Sequence, residues 1–311
     1  MRKKVPFDIH SITLSDIHKS HNLPAPVHPL ISLIDGVNEE LSLTTKNFEG
    51  LNLPNFYQIS FKPSLGGKVR YGQTHYDFAE GGMVFAAPNQ LIASCGTTIE
   101  EEQQCSMYTL LVHPDFFLNY PLSKKIKHYG FFSYAINEAL HLSEKEKDTI
   151  ILVFKNIQEE LNSTIDDFSQ DIIISQIELL LTYSNRFYKR QFITRKDVNN
   201  DLIQRIEDIL EDYFNSKMYL NIGIPTVQYL SDKINVSPRY LSDLVRSVTG
   251  QNSQYLIHQK IIEKAKEKLS STALSISEVA YELGFEHPSS FTKLFKAKTD
   301  LSPLEFRKSF N

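Results

Sequence analysis

Between Thr226 and Phe295 the chain writes one short pattern twice, and few folds accommodate such a repeat. In the first copy Thr226 stands where a helix would be capped, followed by Val227, Leu230, Ser231 and Ile234. In the second, Ser275 is followed at the same spacing by Ile276, Val279, Ala280 and Leu283. Ser and Thr side chains accept the free N–H groups of a first helical turn, and Glu278 completes a capping box with Ser275. Each short helix stops at a turn, Asn235-Val236-Ser237 or Gly284-Phe285-Glu286. Asn and Gly are the residues that best tolerate the left-handed conformation of a sharp helix exit. A second helix follows, in which Leu241, Leu244 and Val245 are matched fifty residues later by Phe291, Leu294 and Phe295.

Two helices that cross steeply must approach closely, so a small residue belongs where they meet, and Ser231 and Ala280 fill that place. Val236 and Phe285 each supply an apolar plug for the corner. The second helix of each pair buries one stripe and leaves its other face free to lie in a DNA major groove, about 12 Å wide. Ser253 to Leu269 reads as a connecting helix, with Ile257, Ile261, Ala265 and Leu269 in one row. At ~1.5 Å per residue it spans roughly 25 Å, enough to hold two such helices on one DNA face in successive grooves about 34 Å apart.

The rest of the chain is of another kind. From about Phe7 to Leu122 it reads as β-rich: Tyr57, Ile59 and Phe61 alternate with polar residues, Gly66-Gly67 breaks the chain before Lys68 to Tyr71, and Gly81-Gly82 opens the apolar run Met83 to Ala87, closed by Pro88-Asn89. Short strands so punctuated indicate a sandwich or small barrel. Ser143 and Glu146 form a capping box ahead of a helix bearing Ile150, Ile151, Val153, Phe154, Ile157 and Leu161. A second helix is expected from about Asp167 to Arg190, where Ile173, Ile177, Leu180, Ser184 and Phe187 fall at heptad-like spacing. That row reads either as a dimer seam or as a helix packing on its own barrel. The polar stretch Thr194 to Asn200 is the expected linker, giving an α+β multidomain chain of residues 1–193, 194–200 and 201–311.

Composition narrows the class further. With 41% apolar and 23% charged residues the 311-residue chain has the balance of a soluble globular protein of two domains. The net charge of −4 is uneven: from Lys217 onward 13 Lys and Arg face 9 Asp and Glu, whereas the remainder carries 20 against 28. A basic end on an acidic body suits a polyanion partner at that end. Cys95 and Cys105 have neither a disulfide framework nor metal-site spacing. No apolar run of signal-peptide or membrane-spanning length follows the basic start Met1 to Lys4, so the cytoplasm is the expected location, with no membrane partner.

The C-terminal third resembles the AraC/XylS family of bacterial transcription activators. The resemblance is carried by Asn235 to Leu241, Thr249-Gly250, Tyr255-Leu256, Ala265-Lys266, Ile276 to Phe285, Phe291, Phe295-Lys296 and Ser302 to Arg307, within Asp201 to Phe310. Lys260 departs from the usual arginine, and Asp300 from the usual glycine, although Asp accepts the left-handed conformation better than most residues. The resemblance implies that double-stranded DNA is the partner. Arg239, Ser242, Asp243 and Arg246 would occupy the DNA-facing side of the first recognition helix, and Ser289, Ser290, Thr292, Lys293 and Lys296 that of the second. Arg239 suits guanine and Asp243 cytosine, or the two form an i,i+4 ion pair that positions the arginine. Thr226 and Ser275, at helix starts, can receive phosphate or serve only as caps. Lys260, Lys264 and Lys268 form a row on the connecting helix, read with Glu263 and Glu267 as a solvated face.

Family members of this size carry a cupin-like barrel that senses a small molecule, followed by helices that dimerise, and as activators they meet RNA polymerase. The segment Gly81 to Phe85 with Pro88 is similar to the cupin hairpin. A ligand pocket would draw on Tyr57, Arg70, Tyr71, His75 and Phe85, and the dimer seam on Ile173, Ile177, Leu180 and Phe187. Rival readings are an orphan regulator whose barrel serves only assembly, and a metal-dependent cupin enzyme. Catalytic cupins need paired histidines, a glutamate and a further histidine. Here His75, Asp77 and Glu80 stand without the paired histidine, and His28 and His75 read as structural or pocket-lining, so no metal, cofactor or catalytic residue is assigned. Neither a Gly-rich phosphate loop nor a nucleophile elbow is present.

Overall fold

The computed structural model describes residues 13–20, 23–35, 55–62, 68–71, 74–77, 81–90, 108–135, 138–164, 166–194 and 196–310. Met1 to Lys4, Gly66, Gly67, Glu80, Cys95 and Cys105 lie outside these. The chain forms two compact units, Met1–Gln191 and Phe192–Asn311. No described helix is long and apolar enough to cross a membrane.

The first unit is built on a five-stranded antiparallel sheet in the order β1-β6-β2-β5-β7, from β1 (Ile31–Asp35), β2 (Tyr57–Lys62), β5 (Gly82–Ala86), β6 (Tyr108–Val112) and β7 (Leu140–His141). β3 (Lys68–Tyr71) and β4 (Thr74–Asp77) pair separately. Among the described residues the sheet stays open, with β1 and β7 at its edges, so the closed barrel expected from the sequence is not formed by these strands. Strand alternation sorts the side chains. Ile59 lies opposite both Phe85 and Leu110, which places Tyr57, Ile59, Phe61, Met83, Phe85, Tyr108 and Leu110 on one face. Ser32, Ser60, Thr109 and Leu111 share the other.

Both faces are covered. Helix α1 (Leu14–Ser20) brings Leu14 and Ile17 into a cluster with Ile34, Phe56 and Leu111. Its His18 is buried, with Nε2 2.7 Å from Ser32 Oγ. The opposite face meets the 3-10 turn Gly130–Ser133 and two long helices; a short helix α2 (Leu122–Lys125) precedes that turn. Phe154 of α3 (Glu144–Asn162) stacks on Tyr108 at 5.3 Å, and Ser184 of α4 (Ser169–Thr194) donates to Met83 Sδ at 3.7 Å. The expected capping box is present: Ser143 N–H donates to Glu146 at 2.9 Å. Glu146 also accepts from Arg190 at 2.6 Å, tying the start of α3 to the end of α4.

On spacing alone the α4 row is open to two readings, a dimer seam or a helix packing on its own barrel. Ile173, Ile177, Leu180, Ser184 and Phe187 are all buried within the first unit. A helix packing on its own sheet and one pairing with a partner show the same apolar spacing, and this burial fits the former. The outward side of α4 instead carries Phe168, just before it, with Ile172 and Leu179.

The second unit is helical. α5 (Lys196–Asn215), which takes in most of the stretch expected as a linker, buries Leu202, Ile206, Leu210, Tyr213 and Phe214 along one stripe. α6 (Tyr219–Ile222) is one turn. α7 (Val227–Ile234) and α8 (Pro238–Thr249) make the first corner, α9 (Ser253–Ser271) the connection, α10 (Ile276–Tyr281) and α11 (Pro288–Thr299) the second corner, and α12 (Pro303–Lys308) closes the unit. α5 packs on α7, α8 and α9.

Candidate nucleic-acid interface

The two corners share one hydrogen-bond design. Thr226 Oγ1 accepts from Tyr229 N–H at 3.1 Å, and Ser275 Oγ from Glu278 N–H at 3.2 Å. Ser275 N–H returns to Glu278 at 2.6 Å, completing the expected box. These bonds hold the Glu278 carboxyl below its usual range. At the exit of α7, Val236 N–H donates to Ser231 O at 3.0 Å and Asn235 N–H to Asp232 O at 3.4 Å. After α10, Phe285 N–H donates to Ala280 O at 3.1 Å and Gly284 N–H to Tyr281 O at 3.0 Å. Both are the paired closure of a Schellman motif, with the left-handed residue where the sequence placed it: Asn235 at φ 56° and Gly284 at φ 85°. Ser231 and Ala280 have no exposed surface, and the plugs Val236 and Phe285 are buried.

Each corner turns into a helix that begins with proline and ends in a left-handed residue, Gly250 at φ 73° and Asp300 at φ 61°. Asp300 thus takes the left-handed conformation expected at this position, and its N–H caps Lys296 O at 2.9 Å as that of Gly250 caps Arg246 O. Inward, α8 buries Leu241, Leu244 and Val245, and α11 buries Phe291 and Phe295 while Leu294 is only half-buried. Outward on α8 lie Arg239 and Arg246, with Ser242 and Asp243 half-buried beside them. Outward on α11 lie Ser289, Ser290, Lys293 and Lys296, with Thr292 half-buried. The Ser242 and Thr292 hydroxyls donate back to Pro238 O and Pro288 O, at 2.8 and 3.0 Å. Arg239 Nε donates to Asp243 at 3.1 Å, the i,i+4 pair anticipated from the spacing.

α9 spans about 28 Å at ~1.5 Å per residue. Its lysine row is not the solvated face read from the sequence. Lys260 and Lys264 each reach Glu211 of α5 at 2.6 Å, and Lys268 reaches Glu282 at 2.6 Å, with the three side chains at most 28% exposed. The hydrogen bonds from Lys260 and Lys264 lower the Glu211 carboxyl to about 2. Glu211 was missed because its partners lie about fifty residues away; the available signal was that each lysine immediately precedes the buried Ile261, Ala265 or Leu269.

The turn of the second corner also meets bare backbone just ahead of the first corner. A Cβ on Gly284 would stand 2.7 Å from Gly223 C and 2.8 Å from Gly223 O. Gly223, itself at φ 81°, accepts from Tyr213 Oη at 2.8 Å.

The residues named for a ligand pocket stand on two sheets, the five-stranded one and the β3–β4 pair. Tyr57 and Phe85 are buried in an aromatic core with Phe117, Phe131, Phe132 and Tyr188, the Phe85–Phe131 centroids being 4.4 Å apart. Arg70, Tyr71 and His75 belong to the separate β3–β4 pair, where Arg70 lies opposite His75. His28 packs edge-on against Phe116, and burial lowers its pKa.

Residues 230–309 match a family model described as a helix-turn-helix domain. Over 143 residues, 46% of this chain, the sequence is 29% identical to YfiF, an uncharacterized HTH-type transcriptional regulator of Bacillus subtilis. Over 115 residues, 37% of this chain, it is 31% identical to the uncharacterized HTH-type regulator in the cgkA 5' region of Pseudoalteromonas carrageenovora. The matches span 42% and 63% of those relatives' own lengths. Among solved structures, the C-terminal domain of the response regulator yesN from Fusobacterium nucleatum is 30% identical, covering 34% of this chain and 98% of that one with a TM-score of 0.31. In its carboxyl-terminal third, where the two capped corners lie, the chain is a member of the AraC-type helix-turn-helix family.

Proposed function

We propose that this protein is a sequence-specific transcription regulator that binds double-stranded DNA by laying α8 and α11 in successive major grooves. The observation that carries the reading is the duplicated corner: two helices of one length, identically closed, each with a buried inner stripe and an outer side bearing Arg239 and Arg246 or Lys293 and Lys296. A helix fits a major groove, and guanidinium and ammonium groups serve phosphates and guanine edges there. Thr226 and Ser275 add helix starts facing the same task. The test is fluorescence anisotropy of the full chain with a randomised-sequence duplex pool at low salt. Salt-sensitive binding supports the reading, and absence of binding ends it.

The regulator acts as a dimeric activator in which a small molecule bound by the first unit shifts the population able to engage DNA and RNA polymerase. The cytoplasm is its place of action. Family membership supports this reading, with a cupin-like first unit and a division into residues 1–193, a linker and 201–311. Dimerisation through α4 would use its outward Phe168, Ile172 and Leu179 side. A second reading, a regulator whose first unit serves assembly alone, is favoured by the packing of Tyr57 and Phe85 inside the aromatic core. Thermal-shift measurement against a metabolite panel separates the two: a stabilising ligand supports sensing, and none supports scaffolding.

A further inference from the structure

The outer sides of α8 and α11 differ in sign at equivalent positions. Fifty residues separate the copies here, so Arg239 corresponds to Ser289, Asp243 to Lys293, and Arg246 to Lys296. α11 therefore presents Lys293 and Lys296 where α8 presents one carboxylate among its arginines. A carboxylate on a side meant for phosphates opposes binding to every duplex alike. A single i,i+4 pair on a helix surface adds little to stability, and α8 is already capped by Ser237, begun by Pro238 and closed by Gly250. What Asp243 does do is hold the guanidinium. It accepts from Arg239 Nε, one turn back along the helix, while Arg239 remains 52% exposed. A bond through Nε leaves the terminal fork of the guanidinium for the O6 and N7 of guanine.

We propose, on the reading that this domain binds DNA, that Asp243 is a positioning residue that makes α8 the base-reading helix, whereas α11 supplies mainly phosphate attraction. Asp243 acts twice. It fixes the Arg239 fork in a base-competent direction, which favours the cognate site. Its negative charge also weakens binding to every other sequence, so discrimination rises although total attraction falls.

The experiment uses the full chain and two probes of equal length: a duplex recovered by repeated selection from a randomised double-stranded pool, and the unselected pool. Asp243→Asn is expected to bind the unselected pool several-fold more tightly. Its selected-to-unselected affinity ratio should fall about tenfold, the scale of one bidentate base contact. The slope of log affinity against log salt should steepen by about one, because a neutralising charge has gone. Arg239→Lys keeps the charge but loses the fork, and should lose the same ratio with no change of slope. Lys293→Ala should weaken both probes by one factor and flatten the slope by about one, leaving the ratio intact. Unchanged thermal unfolding of Asp243→Asn excludes a merely structural cause. The proposal is overturned if Asp243→Asn keeps both the ratio and the slope of the unmodified protein. Failure of the unmodified protein to bind either probe instead removes the DNA-binding reading beneath it.

Discussion

The first corner is sheltered and the second stands open. α5 packs on α7 and α8, and Tyr240 near the start of α8 is buried with its ring 5.3 Å from that of Phe192. Its counterpart Ser290 is exposed, and α11 has aromatic neighbours, with the Phe285 ring against Phe291 and the Phe306 ring against Phe295. The inner stripe of α8 buries Leu241, Leu244 and Val245 where that of α11 buries Phe291 and Phe295, although turns, caps and small crossing residues coincide. The difference teaches that backbone closure fixes a handful of positions in such a corner. Packing volume and outer charge are left to vary.

Substitutions at matched positions can break or sharpen that contrast. The largest expected effect is at the turns. Gly284→Ala adds a left-handed penalty of roughly 1 kcal/mol and a backbone clash of about 1–3 kcal/mol, whereas Asn235→Ala, which keeps a Cβ already in place, should cost only about 1 kcal/mol. Urea unfolding of the two variants measures this, and equal losses would mean that the Gly223 contact is unimportant. Next come the outer sides. Arg239→Ala should lose about 1–3 kcal/mol at one base position of a selected duplex, and Lys296→Ala should weaken all duplexes and flatten the salt dependence. Titrations at several salt concentrations distinguish them, and equal, salt-independent losses from both would erase the functional difference between the helices.

The caps are expected to behave alike at neutral pH: Thr226→Ala and Ser275→Ala should each cost about 1 kcal/mol in chemical unfolding. Smallest is an acid effect tied to the sheltered corner. Glu211 titrates at about 2 in the folded chain against about 4.3 unfolded, so its contribution is fully present above the unfolded value and is lost as pH falls toward the folded one. Glu211→Gln should therefore flatten the fall in stability between about pH 5 and 2. An unaltered acid limb in calorimetry would show that its ties to Lys260 and Lys264 contribute nothing.

What the sequence disclosed about this fold was local. Asn235, Gly284 and Asp300 declare themselves because left-handed backbone admits few residue types, and Ser143, Thr226 and Ser275 because a cap satisfies donors three residues away. The outer residues of α8 and α11 were legible from the inner stripe they oppose. Two things were not. Spacing says that Ile173, Ile177 and Leu180 share a side of α4, that Tyr57 alternates with polar neighbours and that Phe85 lies in an apolar run, but not what each side meets. Nor could periodicity announce Glu211, whose partners are set by the crossing of α5 over α9.

Gly223 and Gly284 touch main chain to main chain, with no side chain between them to lengthen or shorten. On the proposed reading, in which α8 and α11 lie in successive grooves, this contact between the start of the first corner and the turn of the second acts as a ruler for their pitch. Inserting a single base pair between the half-sites turns one of them by about 34° around the duplex axis, since a turn takes roughly 10–10.5 pairs. A spacer altered by one pair should accordingly be rejected outright, while changes of base within it are ignored.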